Sequence, residues 1–116
     1  MWFVATAGAL AALLQGQAYE GELKERLRAE PKAILQSAKP SYDLELCVAD
    51  ALTVVGNPSV FRDGPDNIVI AVTPGGGNAF IATVSIIKVP TGSKLELRVR
   101  GKGLDDRLAS RVGGCT

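Results

Sequence analysis

Two pairs of aspartates are the residues best suited to acid–base or metal chemistry. Asp63 and Asp66 flank a Gly-Pro turn, and Asp105 and Asp106 are adjacent. A glycosidase needs two carboxylates set across its substrate, and calcium takes about six to eight oxygens, commonly from one dedicated loop. The first pair supplies two carboxylates with no bidentate glutamate following, and no aromatic sugar platform accompanies either pair. We therefore expect turn and helix-start roles for all four.

The glycine-rich segments do not match a nucleotide-binding loop. Gly75-Gly76-Gly77 is followed by Asn78 and an apolar stretch, whereas a phosphate loop continues into Lys-Ser/Thr and a helix. Gly101 and Gly103 precede a helix-prone segment but lack the remaining glycine of the dinucleotide fingerprint and its βαβ unit. Histidine, the commonest general base and zinc ligand, is absent from the chain. We predict a protein that is not an enzyme and uses neither cofactor nor metal.

Basic residues near the carboxyl end form the sharpest surface feature. Lys94, Arg98 and Arg100 alternate along one strand, Glu96 interrupts them, and Lys102 follows. Such a face suits phospholipid head groups, anionic glycans or an acidic protein. The alternative is a solvated sheet face whose charges protect the sheet from edge pairing. Since thirteen basic residues nearly balance twelve acidic ones, the charge argues against nucleic-acid binding.

The first eighteen residues have the pattern of a secretion signal. Residues 2–14 are uncharged and almost wholly apolar, and Gly16-Gln17-Ala18 suits cleavage before Tyr19. The apolar stretch is shorter than the roughly twenty residues that span a bilayer. It lacks the usual preceding Lys or Arg, so a true start further upstream, a buried helix or a membrane anchor stays open. We expect a signal peptide over residues 1–18, a periplasmic or secreted mature protein, and no transmembrane span after cleavage.

The chain has two cysteines, Cys47 and Cys115, and so one possible intramolecular pair. In an oxidising compartment this pair is expected to form a disulfide. The bridge would close a loop of about seventy residues and stabilise the fold by up to roughly 4 kcal/mol on the chain-entropy model. Two buried thiols in a cytosolic protein are the alternative. A redox pair normally has C-x-x-C spacing, which is absent here.

The elements that position these residues begin with a leader and a helix. Residues 19–40 are charged, with leucines near helical spacing, and Pro31 breaks or kinks a helix there, so we predict a helical or flexible leader. A firmer helix begins near Ser41, whose hydroxyl is expected to cap it, and ends near Gly56. The apolar residues on its shared face are Leu44, Cys47, Val48, Ala51 and Leu52.

From residue 59 the hydrophobic period changes to two, which predicts strands. Four apolar or alternating stretches are separated by short turns such as Asp63-Gly64-Pro65-Asp66, and short links favour antiparallel neighbours. A last helix follows Gly103. Residues at helical spacing along it are Leu104, Leu108, Val112 and Cys115.

The predicted fold class is α+β: a four-stranded antiparallel meander with two helices packed on one face, following the N-terminal signal segment. The helices belong to a small domain over residues 41–116 and must cover the one apolar face of the meander. Because each cysteine lies on the apolar face of its helix, we expect Cys47 and Cys115 to meet between the helices.

This layout resembles a loose class of small, uncharacterised exported bacterial proteins, which have a Cys-bearing helix, a four-stranded meander and a closing helix ending in Cys. The residues that carry the resemblance are Leu44, Cys47, Val48 and Ala51, then Phe61-Arg62-Asp63-Gly64, and finally Leu104, Leu108 and Cys115. The resemblance implies a fold and an exported location and no activity. Many members carry a lipidation cysteine that this chain lacks, so membrane anchoring is not implied.

Together these features lead us to expect a non-catalytic periplasmic or envelope accessory protein. Its open sheet face, with Lys94, Arg98, Arg100 and Lys102, would bind an anionic envelope component or an acidic protein. One alternative is a secreted inhibitor or immunity-type protein that uses the turn over residues 62–66 as a wedge. A weaker alternative is a carboxylate-dependent hydrolase that uses Asp105 or Asp106.

Overall fold

A computed structural model describes residue 21 and residues 23–74, 79–100 and 103–116. It contains one five-stranded antiparallel sheet and three helices, which confirms the α+β class. The predicted signal peptide, the glycine run Gly75–Gly77, and Lys102 lie outside the described residues.

The sheet has the strand order β1-β5-β4-β3-β2. Helix α1 is described at residue 21 and over residues 23–28. The remaining elements are β1 (Ala33–Ser37), α2 (Ser41–Leu52), β2 (Asn57–Asp63), β3 (Asn67–Thr73), β4 (Ala82–Val89), β5 (Gly92–Val99) and α3 (Asp105–Gly113).

The prediction of a four-stranded sheet is wrong by one strand. Strands β2 to β5 form the expected meander, but β1 is built from the predicted leader and pairs antiparallel with β5 from Ala33↔Leu97 to Ser37↔Ser93. The backbone N–H of Lys32 extends the pairing by donating to the Leu97 carbonyl at 2.7 Å. The adjacent Ile34 and Leu35 fit either periodicity, and the long-range partner β5 selects the strand.

One face of the sheet carries the apolar core, which α2 and α3 cover. Along β5, Leu95, Leu97 and Val99 are buried on this face while the residues between them lie on the other face, as the alternation predicts. The residues that the helices contribute to the core are Leu44, Val48, Ala51, Leu52, Leu108 and Val112, and Cys115 joins them from just after α3. The two layers therefore depend on apolar side chains spaced at 3.6 residues in the helices and at two in the strands.

The start of α2 differs from the expectation. Pro40 occupies the cap position, no side chain caps the helix, and Ser41 is its first residue. The Ser41 hydroxyl instead donates to the Asp66 carbonyl at 2.8 Å. This hydrogen bond ties the first turn of α2 to the β2–β3 turn, so the buried serine has a tertiary role in place of a capping one.

The disulfide between Cys47 and Cys115 is confirmed. It joins α2 to the residues just after α3 with a Cα–Cα distance of 5.8 Å. The chain end is also held by polar contacts, because Lys39 Nζ donates to the Cys115 carbonyl at 3.0 Å and Ser37 Oγ donates to the Thr116 carbonyl at 3.2 Å. Within the described residues, no helix is both long and apolar enough to cross a membrane.

Candidate binding surface

The second face of the sheet holds a charged cluster on β5. Glu96 lies between two cations: its Oε2 is 3.2 Å from Lys94 Nζ, and its Oε1 is 3.2 Å from Arg98 Nη2. The alternation along β5 places the three side chains on one face, which the sequence predicts correctly. The cluster therefore carries one net positive charge, with the carboxylate engaged from both sides.

The ionisation of Glu96 is set by its position in this cluster. Its side chain is 17% exposed. Burial on its own would raise the pKa of the carboxyl, but the hydrogen bonds and charges of Lys94 and Arg98 outweigh that effect and hold the pKa below its ordinary value. A carboxylate whose pKa is lowered by two cations is a weak general base, so the cluster is better suited to electrostatic contacts than to proton transfer.

Arg98 is a structural member of the cluster. Its side chain is 13% exposed, and its Nε donates to the Ala29 carbonyl just after α1 at 2.7 Å. Its Nη1 is buried without a hydrogen-bond partner in the described part of the chain. The expectation of an open sheet face is therefore wrong at Arg98, because the residues following α1 lie over it.

The other predicted cations are more accessible. Lys94 retains partial exposure beside Glu96, and Arg100 is exposed just beyond β5, where its backbone N–H donates to the Ile81 carbonyl at 2.8 Å. Arg100 forms no ion pair with any described residue. Of the predicted set Lys94, Arg98, Arg100 and Lys102, the structure thus leaves Lys94 and Arg100 available for an external anion and gives no placement for Lys102.

Strand β1 adds residues to this surface that the sequence reasoning missed. Ile34 lies directly opposite Glu96 and is 58% exposed, and Gln36 lies opposite Lys94. Lys32, one residue before β1, is exposed and follows the same alternation. The period-two pattern Lys32-x-Ile34-x-Gln36 is the sequence signal for this strand, but Pro31 and the charged residues before it favour a leader.

A cavity of about 290 Å³ lies between α1 and the second face of the sheet. Leu27 closes one side, while Val69 and Ile87 supply apolar walls and Ser85 a hydroxyl. Ser85 is paired in register with Glu96. Because that glutamate is committed to its two cations, the arrangement does not provide the serine with an activating base.

Three of the four aspartates predicted to serve as turn and helix-start residues, Asp63, Asp66 and Asp106, lie at exposed positions. Asp63 ends β2, and the Asp66 carboxylate lies 3.5 Å from Lys88 Nζ beside the same turn. Asp106 is exposed in the first turn of α3, and the Asp105 side chain lies outside the described part of the structure. Among the described residues, no three Cys, Asp or Glu side chains gather as a metal-ligand set.

Comparisons with known proteins add no relative. No protein-family model matches the chain, and neither the curated proteins nor the solved structures contain a match. The fold and surface define the molecule as a disulfide-bonded α+β protein with a cationic surface on β1 and β5. We call this surface the β1–β5 edge, and its residues are Lys32, Ile34, Gln36, Lys94, Glu96, Arg98 and Arg100.

Proposed function

We propose that this protein is a non-catalytic binding protein of the periplasm or the extracellular space, and that it holds an anionic envelope component through the β1–β5 edge. The observation that carries the proposal is the excess of exposed cations there. Lys32, Lys94 and Arg100 lie along this surface, and its carboxylate, Glu96, is already paired with Lys94 and Arg98. Arg98 stabilises this surface, because it donates hydrogen bonds to the Glu96 carboxylate and to the Ala29 carbonyl.

The proposed compartment is supported by the disulfide, because such bridges persist mainly in oxidising environments. The apolar residues 2–14 suit a secretion signal cleaved before Tyr19. Intact-mass measurement of the protein from its native host tests both points. The expected result is a chain that begins at Tyr19 and lacks two hydrogens, whereas an uncleaved chain with alkylatable thiols would contradict the proposed location.

Vesicle binding tests the proposed ligand chemistry. We expect the protein to bind phosphatidylglycerol vesicles and to leave phosphatidylcholine vesicles unbound. Neutralising the partly exposed Lys94 and the exposed Arg100 with Lys94→Gln and Arg100→Gln should weaken binding by about thirtyfold, since each cation near an anionic surface contributes about 1 kcal/mol. Arg98 is left intact because its loss would disturb α1.

The matched control moves the same charge change to another surface. Lys88→Gln and Arg107→Gln remove two exposed cations at the far end of β4 and on α3. Once the effect of its lower net charge on vesicle affinity is subtracted, this control variant should bind the vesicles like the wild type. Equal losses in both double variants would show non-specific attraction and contradict a binding site at the β1–β5 edge.

The β2–β3 turn favours a second candidate, a secreted inhibitor or immunity-type protein. Residues 62–66 are all exposed, and Gly64 has a φ of 81°, a conformation that glycine adopts readily. The turn is anchored on one side by the ion pair between Arg62 and Glu45 at 3.0 Å. Inhibition of a panel of secreted hydrolases that is lost with Asp63→Lys, while vesicle binding stays unchanged, would favour this candidate.

A further inference from the structure

Helix α2 presents an apolar ridge to solvent on the side opposite its buried face. Leu46 is 82% exposed and Tyr42, one turn earlier, is 73% exposed. Residues four apart lie on the same side of a helix, so the two side chains form one apolar strip. Because the other face of the helix is already buried, a contact with a second molecule would bury this strip and remove its apolar surface from water.

The ridge is bordered by negative charge. Asp43 and Asp50 are exposed on the same solvent-facing side and form no ion pair with the described residues. The last turn of the helix contains no basic residue. We call Tyr42, Asp43, Leu46 and Asp50 the α2 patch: an apolar centre with an acidic border.

The opposite side of the molecule carries the complementary arrangement. Ile34 is exposed at the edge strand β1, with Lys32 on one side along the strand and Lys94 diagonally across on β5. Glu96 lies directly opposite Ile34, but its carboxylate is paired with Lys94 and Arg98, so the border keeps a net positive charge. We call Lys32, Ile34, Gln36 and Lys94 the β1 patch: an apolar centre with a border of net positive charge. Since α2 packs on the face that contains Leu95 and Leu97, the two patches lie on opposite faces of the sheet.

We propose that the α2 patch of one copy of this chain docks on the β1 patch of a second copy. Each patch has an exposed aliphatic side chain at its centre, and the contact would bury both. The acidic border of the α2 patch would face the basic border of the β1 patch, so the two surfaces are electrostatically complementary. A symmetric contact between identical patches would oppose like charges. The contact is therefore head-to-tail, and such heterologous contacts leave an unused patch at each end and can continue into longer assemblies.

The β1 patch overlaps the surface that we propose to bind an anionic component. Self-association nevertheless does not depend on that proposed function, because the α2 patch takes no part in anion binding. A contact of a few exposed side chains belongs to the small, transient class of interfaces. Sedimentation equilibrium should therefore extend to about 1 mM protein, where weak association becomes measurable.

The test uses one variant for each patch. Leu46→Ser damages the α2 patch and Ile34→Ser damages the β1 patch, because each removes the central aliphatic side chain and leaves the charge of its border unchanged. Each variant alone should associate about tenfold more weakly than the wild type, because burial of one aliphatic side chain is lost. An equimolar mixture should form a heterodimer that grows no further, since the intact α2 patch of one variant meets the intact β1 patch of the other.

Val60→Thr serves as the matched control, because Val60 is an exposed aliphatic residue on β2 outside both patches. It should associate like the wild type, and circular dichroism and an intact disulfide should show that every variant is folded. Association should also weaken as ionic strength rises from about 0.01 M to about 0.1 M, which shortens the screening length from about 30 Å to about 10 Å.

A wild-type protein that stays monomeric throughout the series would overturn the proposal. So would a mixture of the two variants that forms no heterodimer, or association that survives in both variants alone. Phosphatidylglycerol binding by monomeric Leu46→Ser separates the two hypotheses, because that variant retains every cation of the β1–β5 edge and the net charge of the wild type. Vesicle binding without self-association would refute this inference and leave the proposed function standing.

Discussion

At the scale of single residues, Glu96 organises the second face of the sheet. Without its carboxylate, Lys94 and Arg98 would be two unpaired cations on either side of position 96 on one strand face, with Arg98 largely withdrawn from water. A partly buried cation is costly unless it is paired and hydrogen-bonded. Glu96 thus allows this strand to carry basic residues of the proposed binding surface.

Glu96→Gln tests that role through the pH dependence of stability. A carboxyl with a lowered folded-state pKa stabilises the fold above its unfolded pKa, about 4.5, and this contribution is lost as the pH falls through the folded pKa. The variant should therefore be about 1–2 kcal/mol less stable than the wild type at neutral pH, since a charged hydrogen-bond acceptor is replaced by a neutral one. The difference should shrink below about pH 4.5 in urea denaturation series.

Glu30→Gln provides the control, because Glu30 is an exposed glutamate in the loop before β1. It should match the wild type at neutral pH to within about 0.5 kcal/mol. If Glu96→Gln showed the same stability as the wild type from neutral to acidic pH, the carboxylate would have no organising role in the cluster.

At the scale of elements, the local signals predicted most of the framework. The turn residues between β2 and β3, the alternation along β5 and the leucine spacing of α3 each act over a few residues, and each is found where the sequence placed it. Local patterns of this kind are set by backbone preferences and by side-chain periodicity, which a single sequence displays directly.

Strand β1 and the burial of Arg98 could not be read from local signals. Ile34 and Leu35 form a strand because β5, about sixty residues later, offers a free edge. Likewise, only the placement of α1 brings the Ala29 carbonyl to Arg98. Both features depend on pairings between distant segments, so the sequence predicted which residues of the candidate surface share a face but not which of them remain accessible.

Gly92→Ala tests the junction between β1 and β5. Gly92 has a φ of 139°, and a Cβ added there would overlap the Ser37 carbonyl oxygen. The strained conformation and the overlap together should destabilise the fold by about 2 kcal/mol or more. Urea denaturation measures the loss.

The matched control is Gly113→Ala at the end of α3, where an added Cβ meets nothing and the φ is ordinary. Alanine there should leave stability unchanged or raise it by about 0.5–1 kcal/mol. Equal stabilities for Gly92→Ala and the wild type would contradict the close approach of β1 to the start of β5.

Arg98→Gln tests whether Arg98 holds α1 on the sheet. The variant loses the hydrogen bond from Nε to the Ala29 carbonyl and the ion pair with Glu96. Local opening of α1 should then increase, and limited trypsin digestion should cut faster at Lys24 and Arg28. Lys94→Gln, which removes a cation from the same strand face without touching α1, should leave the cleavage rate unchanged; equal rates in both variants would contradict the anchoring role.

At the scale of the whole molecule, the disulfide joins the two helices of the core layer. Cys47 lies in the middle of α2 and Cys115 just after α3, so the bridge encloses β2 to β5 and most of the domain. Its 68-residue separation makes the constraint on the unfolded chain large. The apolar contacts of Leu108 and Val112 and the hydrogen bond from Arg111 Nε to the Ala51 carbonyl hold α3 against α2 independently of the bridge.

The double variant Cys47→Ala with Cys115→Ala should therefore fold and yet be markedly less stable. The chain-entropy model sets the loss at up to about 4 kcal/mol, and urea denaturation of the variant against the oxidised wild type measures it. Reduction of the wild type should lower the midpoint comparably, because both treatments release the same constraint on the unfolded chain. The midpoint should fall with native circular dichroism retained in the absence of urea, since the core contacts remain. A double variant as stable as the oxidised protein would show that packing alone determines the position of α3, and the bridge would then contribute nothing to the stability of this small domain.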